Sequence, residues 1–161
     1  METHMENNKM LYSHVSVDCV LLGVNEDKLC VLLIERQMDN SDEKRYKLPG
    51  SLIFENEDLD TAAHRVFNEA TGLKRVPLKQ FRSFGSPSRT KNKDDMQWLE
   101  NAMKLKIERI VTVAYLALSK IGRKSNPTNK YNSLAWFPVD ALPSLPFDHK
   151  EIIEAAVEEI R

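Results

Sequence analysis

Cysteine, net charge and long apolar runs are what this chain has least of, and each shortage removes a class of explanation. Only two cysteines occur, Cys19 and Cys30, both inside strand-like apolar runs, where a small buried hydrophobe in a reducing compartment is the ordinary role. No Cys/His spacing supports zinc, so neither a disulfide nor a zinc site is expected. With 23 Lys and Arg against 24 Asp and Glu, the formal net charge is -1, which gives no support to broad electrostatic binding to nucleic acid or an anionic membrane. The longest apolar runs are strand-sized, far short of the roughly 20 residues a membrane helix requires. The amino end, METHMENNKM, has no apolar stretch after its charges and does not form a secretory signal. A soluble, cytoplasmic protein is expected, with a disordered tail over residues 1–13. Repeats, low-complexity tracts and a second core are also missing.

What is present suffices for one domain. A chain of 161 residues with 42% hydrophobic content can bury a sizeable core, placed here at residues 14–161. His14 to Gly23 (HVSVDCVLLG) and Leu29 to Glu35 (LCVLLIE) read as antiparallel strands joined by a short polar turn. Residues 37–47 are charged and without hydrophobic period, hence a loop, and Pro49-Gly50 marks a turn. Asp58 is a candidate N-cap for a helix from Leu59 to Ala70, whose Leu59, Ala62, Ala63, Val66 and Ala70 share one face. Gly72 stands where a left-handed C-terminal residue is commonly needed. Val76 to Phe84 reads as a strand. Between Ser88 and Glu108 a charged insertion carries the stripe Met96, Leu99, Ala102 and Met103, which predicts a short amphipathic helix that docks on the domain or serves as a lid or interface. Arg109 to Ser119 (RIVTVAYLALS) is continuous enough to be a central strand buried on both faces. Residues 120–132 are basic and turn-rich, hence an exposed loop. Leu134 to Val139 is a strand in which Pro138 implies an edge or an end. Asp148 and Glu151 have the spacing of a capping box for a final helix. Strands mixed with helices make an α/β sandwich the natural architecture.

The stretch Leu48 to Leu73, LPGSLIFENEDLDTAAHRVFNEATGL, carries the chemistry. It resembles the Nudix box, the loop-helix-loop of the Nudix hydrolases, when aligned on Glu57, Arg65, Glu69, Gly72 and Leu73. That likeness implies an α/β/α sandwich with a mixed central sheet. It also implies a site where clustered glutamates hold Mg²⁺ or Mn²⁺, because a hard doubly charged ion beside phosphates needs fixed anionic oxygens. Here the first aligned glycine is Ser51, and Val66 and Ala70 replace two of the helical glutamates. A valine neither accepts a proton nor binds a cation, so no metal or other cofactor is expected. Ser51, Glu57, Arg65, Glu69 and Gly72 then form a structural box in which Arg65 is the fork-shaped partner of the carboxylates. The alternative is a hydrolase cleaving a nucleoside diphosphate linked to another moiety, with Glu57 and Glu69 as catalytic and metal-binding groups. Glu55, Asp58 and Asp60 stand nearby on the loop.

Outside the box, Arg36, Arg89 and Arg109 are candidates for contacting a phosphate or sugar, since guanidinium is shaped for bidentate contact with an oxyanion. His64 and His149 read as helix residues without partners at a telling spacing. FGSPSR, RIVTVAYLAL and WFPVDALPSLPFDHKEII are similar to the effector-sensing domain of bacterial Nudix-related transcriptional regulators. The likeness implies a degenerate box, binding of a sugar or of a nucleotide-sugar such as ADP-ribose, a homodimer, and DNA contact only through a winged helix, which the sequence to Arg161 does not contain. It covers nearly everything from His14 onward except the insertion near residues 91–108.

Overall fold

The computed structural model describes residues 10–36, 44–120 and 133–161. In chain order the elements are β1 (Leu11–Asn25), β2 (Lys28–Arg36), β3 (Arg45–Lys47), β4 (Gly50–Phe54), α1 (Leu59–Thr71), β5 (Lys79–Phe84), a 3-10 turn (Pro87–Thr90), α2 (Lys93–Met103), β6 (Val111–Lys120), β7 (Leu134–Pro138) and α3 (His149–Glu159). The seven strands form one mixed sheet in the order β3-β2-β1-β6-β5, with β4 also on β1 and β7 also on β2. β1 and β6 run parallel, from Val15 opposite Val111 to Val24 opposite Lys120. The other pairs are antiparallel.

Alternation along β1 divides the core. Val17, Cys19 and Leu21 pack with Val113, Tyr115 and Ala117 of β6 against Ala62, Ala63, Val66 and Phe67 of α1. Val20 and Leu22 pack with Val31, Leu33 and Ala114 against Ile152, Ile153 and Ala156 of α3. A strand's side chains point alternately to opposite faces, so one central strand buries two helices. The product is the expected α/β/α sandwich. A third, smaller cluster of Leu52, Met96, Ile107 and Ile110 seats α2. Both cysteines are buried free thiols.

Several expectations need correction. Residues 1–9 lie outside the described residues, but strand β1 begins at Leu11, inside the expected tail, because Leu11 pairs with Phe54 of β4. Residues 37–43 also lie outside, whereas Arg45–Lys47, read as loop, pairs with β2. The chain bends at Pro49 between β3 and β4, as expected, but Gly50 already opens β4 on β1. Neither short strand is visible as a hydrophobic run, because its pairing comes from β1 and β2. In α1, Phe67 and not Ala70 completes the buried face. The strand expected from Val76 starts at Lys79. In α2, Met96 is buried and Leu99 and Met103 are partly buried, but Ala102 is exposed. Asp148 precedes α3 without making a side-chain cap, because its carboxylate is taken by Arg89. The basic loop lies outside the description at residues 121–132. Pro138 ends β7, which among the described residues is an edge strand paired with β2.

Candidate functional site

Two polar assemblies meet at β4. In the first, the Asp58 side chain accepts from the Thr61 N–H at 2.8 Å and starts α1. Gly72 ends it at φ 73°, with its N–H on Asn68 O, the left-handed stop that glycine takes without Cβ strain. Tyr115 of β6 donates to Asp60 at 2.6 Å and ties this end of α1 to the sheet. Arg65 lies over the Phe54 ring at 4.0 Å and forks onto Glu57 through Nε (2.6 Å) and Nη2 (2.8 Å). Its Nη2 also donates to Leu52 O at 3.3 Å, and Nη1 reaches Glu69 at 3.3 Å. Glu57 accepts a further bond from the Phe54 N–H at 3.1 Å. The bonds from Arg65 hold its carboxyl below the usual carboxylate range, against desolvation.

The box carboxylates Glu57 and Glu69 are drawn into ion pairs with Arg65. Both Glu57 oxygens are engaged by Arg65, while Val66 is 3% exposed within the main core. The side of α1 that holds positions 66, 69 and 70 is split by the structure. Val66 points inward, Ala70 is half-buried, and the Glu69 side chain is 66% exposed beside Arg65. Among the described residues, no three His, Cys, Asp or Glu side chains gather as a metal site. Hard cations require several converging oxygens.

The second assembly is a narrow, half-open cleft with roughly 400 Å³ of space including its mouth, walled by β1, β4, α2 and the start of α3. Asp18, Lys47, Gly50, Arg89, Trp98 and His149 line it, and Ser51 stands at its edge. Asp18 is the hub. Its carboxylate accepts from Thr112 Oγ1 at 2.6 Å, faces His149 Nε2 at 3.5 Å, and lies 3.9 Å from Arg89. Gly50 is required by this proximity, because a Cβ there would fall 2.0 Å from Asp18 Oδ1 and 2.8 Å from Val17 O. His149 Nδ1 accepts the Leu48 N–H at 3.2 Å, which places the imidazole proton on Nε2, toward Asp18. Burial lowers the His149 pKa to about 4 and Lys47 and Arg89 push the same way, against Asp18. Lys47 donates to Gly50 O at 2.9 Å. Burial lowers its ammonium pKa, with Arg36 adding to the effect and Asp18 opposing it.

The three arginines singled out in the sequence fall in three settings. Arg89 lines the cleft, gives Nε and Nη2 to the two Asp148 oxygens at 3.0 Å each, and donates through Nη1 to Ile110 O at 3.0 Å. Arg36 is buried behind α2, paired with Asp95 at 3.4 Å and 4.9 Å from the Trp98 ring centroid. Arg109 is exposed and donates to Gly85 O at 2.8 Å, away from the cleft. His64 bonds within its own helix, to Asp60 O at 2.9 Å. Asp18 and Lys47 went unselected in the sequence, and His149 was read only as a helix residue. The available signal was a carboxylate, Asp18, and a hydroxyl, Thr112, in runs of Val, Ala, Cys and Leu, since buried polar groups need partners.

A family model described as NUDIX domain matches residues 12–156. A curated relative, the ADPR responsive transcriptional repressor NtrR of Acinetobacter baylyi, is 29% identical over 147 residues, covering 88% of this chain and 52% of the relative. The chain thus spans about half the length of that relative. The crystal structure of Shewanella oneidensis NrtR complexed with a 27mer DNA matches with a TM-score of 0.66 and 26% identity, over 91% of this chain and 61% of that one. The NUDIX domain of Shewanella oneidensis NrtR complexed with ADP ribose matches with a TM-score of 0.66 and 24% identity, over 100% and 99% of the two chains, and shares the fold.

Proposed function

The chain belongs to the NUDIX domain family, and from that premise we propose that it binds a sugar or nucleotide-sugar metabolite without hydrolysing it, as the sensor of a bacterial transcriptional regulator. The observation that carries this reading is the closure of the box on itself. Glu57 is held by both oxygens on Arg65 and Val66 is in the core, while the neighbouring cleft offers an ammonium, an indole and a carboxylate in Lys47, Trp98 and Asp18. Those groups suit, in turn, a phosphate, a base or sugar face, and hydroxyls. ADP-ribose carries all three, and the Acinetobacter relative is named for responding to it.

In this reading no metal or other cofactor takes part, and the protein is cytoplasmic. No described helix is long and apolar enough to cross a membrane. The domain acts within a homodimer and meets DNA only through a domain outside this sequence. Signalling is by population shift: a ligand preferring one arrangement of the cleft walls favours it in proportion to that preference. Three consecutive residues at the start of α3 are held by those walls. The Phe147 N–H donates to Asp95, Asp148 is forked by Arg89, and His149 accepts from Leu48.

A thermal-shift panel of ADP-ribose, NAD, arabinose and other sugars tests the reading. A ligand at 100 times its dissociation constant adds about 2.7 kcal/mol, roughly 5–10 °C in a domain of this size. A flat panel defeats the sensor reading. Turnover of ADP-ribose with Mg²⁺ or Mn²⁺ that is lost in Glu69→Gln replaces it with the hydrolase reading.

A further inference from the structure

Arg36, Arg65 and Arg89 all turn their guanidinium groups into the domain, and they are unequally satisfied. Arg65 and Arg89 each fork onto a carboxylate at 3.0 Å or less and also reach a backbone carbonyl. The Arg36 side chain is only 4% exposed, yet among the described residues its ion pair is a long one, 3.4 Å to Asp95, and its Nε meets no hydrogen-bond partner. Charge-assisted bonds are ordinarily about 2.7–2.9 Å, and a buried donor left unmade is costly. Burial pushes the Arg36 pKa down, Asp95 opposes it, and Arg45 adds to the fall. Lys47 is in turn pushed down by burial and by Arg36. Among the described residues, Arg36, Arg45 and Lys47 gather at this corner against the Asp95 carboxylate.

The inserted helix α2 covers this corner. Asp95 gives Arg36 a carboxylate contact, and the Trp98 ring takes Arg36 at 4.9 Å and Lys47 at 5.7 Å. Met96 of α2 rests on the small third cluster, apart from both main cores. Elements held by few apolar contacts open at low free-energy cost.

We propose that Arg36 and Lys47 form a subsite for a phosphate or diphosphate group, and that Asp95 and Trp98 of the inserted helix occupy it from within as a built-in competitor. A phosphate offers several acceptor oxygens where Asp95 meets Arg36 with one, and so can satisfy the orphaned Nε. The inference rests on the metabolite-binding reading of the adjoining cleft. Because Asp95 Oδ2 also accepts the Phe147 N–H at 2.9 Å, displacing it loosens the segment just before α3, so binding at the corner reaches that helix.

Isothermal titration with ADP-ribose and, separately, inorganic pyrophosphate decides, on the full chain as wild type, Asp95→Asn and Asp94→Asn. Asparagine at 95 keeps an oxygen for the Phe147 N–H and removes the charge opposite Arg36. Asp94 is the exposed neighbour and controls for lost charge in the first helical turn. The expected result is that Asp95→Asn binds both probes about tenfold tighter, the size of one charge-assisted hydrogen bond, while Asp94→Asn matches wild type. If Asp95→Asn does not fold, Trp98→Leu opens the same roof and is expected to bind pyrophosphate about tenfold tighter, while the lost indole face weakens ADP-ribose; no gain for pyrophosphate overturns the subsite. Wild type that binds ADP-ribose with no gain in the variant overturns the subsite and leaves the sensor reading standing. A gain for pyrophosphate while no form binds ADP-ribose supports the subsite and removes that reading. Silence of every form toward both probes removes both.

Discussion

His149 makes the stability of this domain depend on pH in a direction that can be stated in advance. The ring is 3% exposed, and its Nδ1 accepts the Leu48 N–H, so a second ring proton would destroy that bond and charge a group without water around it. Burial accordingly lowers its pKa from 6.5 to about 4. Above pH 6.5 the imidazole is neutral in both folded and unfolded chains and adds no slope. Below 6.5 the unfolded chain takes up a proton that the folded one refuses until about 4, so stability falls through that window and levels off beneath it. At about 1.36 kcal/mol per pH unit the full effect is about 3 kcal/mol, roughly 6–12 °C in melting temperature. Urea denaturation of wild type and His149→Asn at half-unit steps from pH 7.5 to 4.0 isolates the histidine, because other groups largely cancel in the difference. The variant starts less stable at pH 7.5, and the two curves converge as pH falls. A constant difference, or one widening toward acid, refutes the argument, the latter by showing an imidazolium stabilised by Asp18.

Other perturbations have equally definite outcomes. Glu57→Gln removes the charge from a carboxylate whose pKa is lowered by Arg65; it costs about 1.5–3 kcal/mol at pH 7, and the deficit closes as pH falls through that lowered value, which urea midpoints at pH 7 and 3.5 reveal. Gly50→Ala places a methyl 2.0 Å from Asp18 and 2.8 Å from the Val17 carbonyl, so it costs at least about 1–3 kcal/mol. Gly85→Ala meets only Val111 at 3.5 Å and stays within about 0.5 kcal/mol of wild type by thermal melting. Val66→Glu, which restores a Nudix glutamate in the sequence, puts a carboxyl where the side chain is 3% exposed; the result is a loss of several kcal/mol, with no Mg²⁺-dependent release of AMP from ADP-ribose.

The helix of the box was legible in local chemistry. Asp58, the small-residue face and Gly72 are signals carried within 15 consecutive positions, and the structure keeps the cap and the stop, with Phe67 in place of Ala70 on the buried face. The strands β1, β2, β6 and β7 were visible for a related reason, since apolar runs bounded by polar turns register burial directly. Short β3 and β4 were hidden because three to five residues make no hydrophobic period, and their partners lie elsewhere in the chain. Asp148 shows how a local signal misleads. Its spacing to Glu151 promises a capping box, but Arg89, 59 residues away, takes both oxygens of the carboxylate.

By itself the sequence determined the family frame and the α/β class, and it set Val66 and Ala70 where the Nudix likeness expects carboxylates, because these depend on residue identity at fixed short spacing. The tertiary structure alone decided where charge is concentrated. Asp18 meets Thr112, Arg89 and His149 only because β1 and β6 run side by side and α3 returns to them. Arg36 meets Asp95 and Trp98 only because the insertion folds back over the end of β2. Such contacts join residues separated by 59 to 131 positions, and no local pattern encodes a meeting that chain topology alone brings about.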